Sequence, residues 1–192
     1  MICLGVESSA HTFGVGIVND KGEILSNEKM VYMPSAGKGI IPHDAANFHK
    51  ENSSKILELA LNNAGLTMRD INIISYTAGA GLPPCLLVGA DFAISLAKTH
   101  NLPLVPVCHQ IAHLEIGRLT TKANDPVYLY LSGGNTQIIA FTEGKYRIFG
   151  ETEDIPIGNA LDSLSREIGI EPPYGPNFDK TAEKGKKYIE LP

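Results

Sequence analysis

Apolar positions near the N-terminus come in short runs broken by small and polar residues. Ile2 to Val6 is apolar, Ser8-Ser9-Ala10-His11 interrupts it, and Phe13 to Val18 is apolar again. Asn19-Asp20-Lys21-Gly22 has hairpin-turn chemistry and Glu23 to Asn27 leads back, so the opening reads as three strands. Residues 31–43, with Pro34, Gly37, Gly39 and Pro42, read as an exposed loop. The period then changes. Ile56, Leu57, Leu59, Ala60 and Leu61 recur at helical spacing and predict a helix over 44–63 that stops at Gly65. Ile71 to Thr77 predicts a strand, and Ala78 to Pro84 a loop. A helix over 86–100, a strand over 104–107 and a helix over 109–119 follow. Strands alternating with helices after an opening meander indicate an α/β protein, a mixed sheet with helices flanking it.

A polar connector, Thr120 to Asp125, precedes a second series. Val127 to Leu131 is apolar, Ser132-Gly133-Gly134-Asn135 turns, and Gln137 to Phe141 runs back. Thr142-Glu143-Gly144-Lys145 then makes a hairpin into Tyr146 to Phe149. The order of strand, small-residue turn, strand, turn and strand repeats the opening. Internal duplication explains it, with one lobe at 1–122 and the start of another at 123–192. Chance similarity between two three-stranded meanders explains it as well.

Composition narrows the class. A hydrophobic fraction of 43% with 19% charged residues is that of an ordinary globular domain. No apolar run approaches the roughly 20 residues that span a bilayer, so no membrane association is expected. Met1 to Glu7 lacks a basic n-region and reads as a strand rather than a signal peptide. The net charge of −5 argues against a free-standing nucleic-acid binder. Lys180, Lys184, Lys186 and Lys187 are the local exception and read as a solvated helix face. An RNA substrate would therefore draw much of its phosphate affinity from elsewhere. Cys3, Cys85 and Cys108 form no C-x-x-C pair, which argues against a zinc ribbon or a disulfide framework. Cys3 and Cys108 sit beside apolar residues and read as core positions, consistent with a reducing cytosol.

Candidate chemistry is concentrated in a few segments. In His109-Gln110-Ile111-Ala112-His113 the two histidines lie four apart, which on a helix stacks both imidazoles on one face. Such a pair is either structural or suited to Zn or Fe(II), with a carboxylate completing the site. A zinc-protease helix needs a glutamate directly after the first histidine; Gln110 cannot take a proton, so peptidase chemistry is disfavoured. Tyr130-Leu131-Ser132-Gly133-Gly134-Asn135-Thr136 ends a strand in small residues. Its backbone N–H groups can approach a phosphate, or it is a plain glycine turn. Glu7-Ser8-Ser9 occupies the equivalent turn of the first repeat. P-loop and Rossmann glycine patterns are absent. Asp162 follows a helix start at Ile157 and either holds a ribose hydroxyl or lies on the surface. Gly175-Pro176-Asn177-Phe178-Asp179 is a turn entering a helix and has the look of a cap. His11, His43 and His49 have no evident pairing.

Taken in order, these segments resemble the TsaD family. The likeness runs through Gly5-Val6-Glu7-Ser8-Ser9-Ala10-His11-Thr12, the loop from Gly79 to Gly89, and His109-x-x-x-His113 continuing into Leu114-Glu115-Ile116-Gly117. It continues through Tyr130-x-Ser132-Gly133-Gly134-Asn135-Thr136 and from Gly150-Glu151-Thr152 to Asp162. The resemblance implies an actin-like ATPase (ASKHA, ribonuclease H-like) fold whose second lobe is incomplete here. It implies a cytoplasmic transferase that moves a threonylcarbamoyl group from threonylcarbamoyl-adenylate to N6 of the adenosine beside the tRNA anticodon. His109, His113 and Tyr130 would ligate one Fe or Zn ion. Tyr130, Leu131, Ser132, Gly133, Gly134, Asp162, Gly175 and Asp179 would hold the ATP- or AMP-type adenylate, and no residue is assigned as catalytic. KEOPS-like subunits, among them a small kinase and a dimerising subunit, are the implied partners with tRNA. Asp179 departs from the longer Glu usual in the archaeal branch. The family also continues past this chain's end, with an aspartate for the metal and an asparagine for the nucleotide. The ending at Lys187 to Pro192 accordingly reads as truncated, and an incomplete lobe is expected to expose apolar sheet surface. The alternatives are a nucleotide-binding scaffold that does not turn over and, against Gln110, a metalloprotease.

Overall fold

The opening apolar runs pair into an antiparallel meander of β1 (Ile2–Glu7), β2 (Thr12–Asn19) and β3 (Ile24–Val31). The computed structural model describes residues 1–34, 39–188 and 190, so residues 35–38 of the expected loop and 189, 191 and 192 of the chain's end lie outside it. The chain forms two compact units, Met1–Thr121 and Lys122–Pro192.

In the first unit the meander is followed by α1 (Pro42–Ala64), β4 (Ile73–Gly79), α2 (Pro83–His100), β5 (Leu104–Cys108) and α3 (His109–Thr121). The sheet order is β3-β2-β1-β4-β5, with β4 parallel to β1 and β5 parallel to β4. Alternation sorts β1 and β2 cleanly: Leu4, Val6, Phe13, Val15 and Ile17 are buried and meet Ile74 of β4. Ile56 and Ala60 of α1 and Ala93 and Ala97 of α2, each pair four apart, close over them in the same core. Burying a side chain such as Ile56 contributes about 1.5–3 kcal/mol.

Element ends differ from the sequence expectation for definable reasons. Proline stands in the first turn of both α1 and α2, where its missing N–H costs nothing, so these helices begin at Pro42 and Pro83 rather than at 44 and 86. Gly65 ends α1 in the left-handed region at φ 65°, as its position suggested. Ile71 is buried but precedes β4, so a connector residue plugged into the core had mimicked a strand start. β3 continues to Val31, since an edge strand needs no clean alternation. Cys108 is exposed, which corrects its assignment to the core: it ends the edge strand β5, and its thiol donates to Gln110 Oε1 at 3.0 Å. Cys3 is half-buried, 3.6 Å from the Ser75 hydroxyl.

The second unit opens with another antiparallel meander, β6 (Val127–Leu131), β7 (Thr136–Thr142) and β8 (Lys145–Glu151), in the order β6-β7-β8. Two helices follow, α4 (Ile157–Glu167) and α5 (Gly175–Ala182), and they pack on each other. Tyr128, Ile139, Phe141 and Tyr146 share one face of this sheet, with the Tyr146 ring edge-on to both Tyr128 and Phe141. The opposite face presents Val127 at 71% exposure, Leu129 at 63% and Leu131 at 50%. Only Lys180 of the four expected helix-face lysines lies on α5; Lys184, Lys186 and Lys187 follow the helix end and are exposed. No helix among the described residues is long and apolar enough to cross a membrane.

Candidate active site

Three parallel strands of the first unit end together. The register that sets Val6 beside Tyr76 carries Glu7 to Thr77, and Gly79 stands beside Cys108, from which α3 departs with no intervening residue. Carboxyl ends of parallel strands are where α/β sheets place their chemistry. Here they gather Glu7, Thr77 and His109. The Ser9 N–H donates to Glu7 Oε1 at 2.6 Å, and the Thr77 hydroxyl donates to Glu7 Oε2 at 2.5 Å. His109 Nδ1 lies 3.3 Å from the same Oε2. On its other side, His109 Nε2 is 3.1 Å from His113 Nε2, the rings perpendicular with centroids 4.6 Å apart.

Electrostatics follow from these contacts. Burial pushes the Glu7 pKa up, but hydrogen bonds from Ser9 and Thr77, and the His109 charge, outweigh it and leave it below the usual value. Burial first, then the neighbouring His109, lowers the His113 pKa, with Glu7 opposing. His113 is thereby kept neutral near pH 7, the form that binds metals. Two imidazole nitrogens on one tetrahedral zinc lie about 3.3 Å apart at ordinary Zn–N distances. The observed 3.1 Å approach of Nε2 to Nε2 fits a shared ion. Among the described residues no group of three or more His, Cys, Asp and Glu is placed to hold a metal.

Glu7-Ser8-Ser9, the equivalent turn of the first repeat, buries both its serines. Ser8 is fully buried with its hydroxyl unpartnered, packed over Gly89 of α2, and the Ser9 carbonyl accepts the Leu82 N–H at 2.7 Å. Ser8 is sealed beneath α2 and Ser9 beneath the loop leading into it, and Glu7 is the group of this turn that reaches the cluster.

In the second unit, Tyr130 and Leu131 end β6 and lead into the Ser132–Asn135 turn. The Ser132 hydroxyl accepts the Asn135 N–H at 3.0 Å, and the Ser132 N–H donates to the Asn135 carbonyl at 2.8 Å. The start of α4 abuts this turn. A Cβ on Gly158 would lie 2.6 Å from the Ser132 carbonyl oxygen and 2.8 Å from the Gly133 backbone, so only glycine permits the approach. Gly133 and Gly134 are different: neither is in the left-handed region, and a Cβ on Gly134 would have no heavy atom within 4 Å. The fold therefore does not require glycine at 134. Asp162, on α4, is half-buried and accepts the Gly175 N–H at 2.8 Å, tying the start of α5 to α4. Asp179 lies on α5 and is exposed. This unit brings together the serine–glycine turn, Asp162 and Gly175. The histidine pair belongs to the other unit.

Sequence reading missed Thr77 altogether, and it missed Glu7 as the partner of His109. The signal was topological: both end strands that a parallel register aligns.

A family model described as TsaD: tRNA N6-adenosine threonylcarbamoyltransferase matches residues 23–192. The chain belongs to this family. A TsaD relative from Methanopyrus kandleri, named tRNA N6-adenosine threonylcarbamoyltransferase, is 49% identical, with 100% of this chain aligned to 57% of the relative. One of the same name from Sulfurisphaera tokodaii is 51% identical over 100% of this chain and 59% of its own length. The chain thus spans somewhat over half the length of these relatives. A relative from Methanothermobacter thermautotrophicus, 48% identical over 100% of this chain and 36% of its own, carries the words bifunctional tRNA threonylcarbamoyladenosine biosynthesis protein in its name. Among solved structures, component A of (R)-2-hydroxyglutaryl-CoA dehydratase from Acidaminococcus fermentans superposes with a TM-score of 0.56 at 12% identity. It covers 98% of this chain and 61% of its own. YeaZ from Pseudomonas aeruginosa gives 0.53 at 14% identity, covering 81% and 67%. These likenesses concern the fold alone, and it is the actin-like ATPase fold.

Proposed function

We propose that this chain carries the metal and nucleotide sites of a transferase that passes a threonylcarbamoyl group from threonylcarbamoyl-adenylate to N6 of an adenosine in tRNA. The observation that carries the reading is the family match over residues 23–192, joined to convergent histidine nitrogens 3.1 Å apart. His109 and His113 would hold one Fe or Zn ion, with Tyr130 as the further ligand that the family resemblance implies. When bound, such an ion supplies Lewis-acid polarisation of oxygens on the transferred group or phosphate. The protein's own part is positioning. Gly134 would offer its backbone N–H to a phosphate, while the Gly133 backbone packs against Gly158. Tyr130, Leu131 and Ser132 border that cradle, and Asp162, Gly175 and Asp179 stand on the helices beyond it for the adenosine end.

A net charge of −5 gives the chain little of the positive field that tRNA requires. Partner subunits of KEOPS type, including a small kinase and a dimerising subunit, would supply it. The bifunctional name of the Methanothermobacter relative is in keeping with a second activity working beside this one. A tRNA substrate assigns the reaction to the cytoplasm.

The test is transfer of labelled threonine into unmodified tRNA, with ATP, bicarbonate, the adenylate-forming enzyme and candidate partners. The gene's whole product is compared with its His109→Ala variant. Label that enters tRNA and is lost with the alanine supports the transferase. Absence of label with partners shown to be active would leave a nucleotide-binding scaffold.

A further inference from the structure

We infer that Glu7 is a positioning residue for His109: its carboxylate fixes the imidazole as the Nδ1–H tautomer, so that Nε2 presents a lone pair toward the point it shares with His113. The inference extends the metal reading above to a residue 102 positions away in sequence.

The geometry of the carboxylate carries the argument. Half-exposed glutamates ordinarily leave their carboxylates rotating in water, where ordering the side chain costs entropy. Glu7 is held at both oxygens by donors from two separate elements and faces a third. Oε1 takes the Ser9 N–H from the turn after β1. Oε2 takes the Thr77 hydroxyl at the end of β4 and faces His109 Nδ1 at the start of α3. Ser9 and Thr77 therefore set the carboxylate plane, and His109 receives an acceptor whose orientation is already decided. An ionised carboxylate is acceptor-only, so the ring nitrogen facing it must carry the hydrogen.

The opposite end of the ring makes the choice of tautomer matter. His109 Nε2 and His113 Nε2 are 3.1 Å apart. Two N–H groups facing each other at that distance would collide, so at least one nitrogen bears a lone pair. Glu7 assigns that lone pair to His109. A carboxylate on the non-ligating nitrogen is how metal-binding histidines are held to one tautomer and one ring orientation, and loss of such a partner typically weakens metal binding about 10–100-fold. A purely stabilising contact between these part-exposed groups would contribute little, and it would not need the carboxylate fixed at both oxygens.

Two readouts on the 192-residue chain test this, one independent of any metal. Long-range 15N–1H correlation spectra of metal-free protein report the His109 tautomer directly. The wild type is expected as Nδ1–H. Glu7→Gln, whose amide can donate to Nδ1, is expected to move His109 toward Nε2–H. Zinc alone, titrated against a chromophoric chelator, is expected to bind Glu7→Gln about 10–100-fold more weakly than wild type. Glu7→Asp should recover part of the loss, and His109→Ala should remove the site. Thr77→Val, which leaves the carboxylate in place but frees its plane, should show a smaller change in the same direction, so a poorly folded Glu7→Gln does not end the test. Folded Glu7→Gln with the wild-type tautomer and wild-type zinc affinity would overturn the inference. A tautomer that moves in a chain that never binds zinc would instead sink the metal reading and leave Glu7's hold on His109 standing.

Discussion

Replacing Gly134 by alanine separates a ligand cradle from an ordinary glycine turn. The added Cβ would have no heavy atom within 4 Å, and the residue does not occupy the left-handed region. At Gly133 the nearest atom would be Asn159 Oδ1 at 3.8 Å, an ordinary contact. A glycine-to-alanine change at a position whose backbone accepts it stabilises by about 0.4–1 kcal/mol, by restricting the unfolded chain. The fold alone therefore predicts a neutral or slightly raised melting temperature. A phosphate seated on the turn changes the outcome. A methyl group forced into a close backbone contact costs about 1–3 kcal/mol, which is roughly a 5–150-fold loss of affinity. Calorimetric titration with AMP, run beside thermal melts, reads both quantities on the same protein. Gly158→Ala is the contrasting control. Its Cβ would meet the Ser132 carbonyl at 2.6 Å and the Gly133 backbone at 2.8 Å, so stability and affinity should fall together. AMP affinity unchanged in folded Gly134→Ala and Gly133→Ala would refute the cradle and leave a turn between two strands.

His49 supplies a pH dependence. It is fully buried against Phe13 and Phe48, and neither ring nitrogen meets a partner at hydrogen-bond geometry. Burial lowers its pKa below the ordinary 6.5, the His11 backbone and the Glu7 charge opposing and the His11 charge assisting. The unfolded chain then takes the proton first as pH falls, so this contribution to stability is complete above about 6.5 and lost as pH drops toward the lowered folded value. Urea midpoints should fall between pH 7.5 and pH 5.5, and more steeply for wild type than for His49→Leu; equal slopes would remove His49 as the cause. Gly89→Ala would place a Cβ 1.8 Å from the Ser8 hydroxyl and 2.7 Å from Ser8 Cβ, inside the core. It should cost about 1–3 kcal/mol in chemical denaturation, whereas Gly117→Ala, in open space on α3, should stabilise by roughly 0.5–1 kcal/mol. Asp162→Ala leaves the Gly175 N–H without its acceptor and should cost about 1.5–3 kcal/mol, as for hydrogen bonds to charged groups. A melt unchanged by that substitution would show that α5 is tied down by other means.

Local signals were legible and register was not. Alternation in β1 and β2, the stop at Gly65 and the i, i+4 spacing of His109 and His113 each depend on a few neighbouring residues, and the structure shows each in place. The contact of Glu7 with His109 depends on β1, β4 and β5 lying parallel with their ends aligned, which no window of sequence encodes. Cys108 failed for a related reason. Apolar neighbours in an edge strand look like those of an interior one until the pairing order is known. The burial of Ser8 and Ser9 was not legible either, because the polarity of a turn says nothing about what packs over it. Here a glycine of α2 admits Ser8 into the core.

β6 reads the other way, as a pattern with more burial written into it than the second unit's described residues provide. Val127-Tyr128-Leu129-Tyr130-Leu131 is apolar at every position, the signature of a strand covered on both faces, where one-sided strands alternate. Its counterpart β1 is flanked by strands on both edges, β2 antiparallel and β4 parallel, and its alternate residues Leu4 and Val6 lie in the core. β6 pairs with β7 alone, and Val127, Leu129 and Leu131 are all exposed. The register places Ile138 opposite Leu129, so these side chains form one continuous apolar face, not scattered surface residues. In water such a face loses on the order of 25 cal/mol for each Å² left uncovered. The continuous apolar run is therefore that of a strand covered on both faces, whereas within the described residues the face of Val127, Leu129 and Leu131 is exposed.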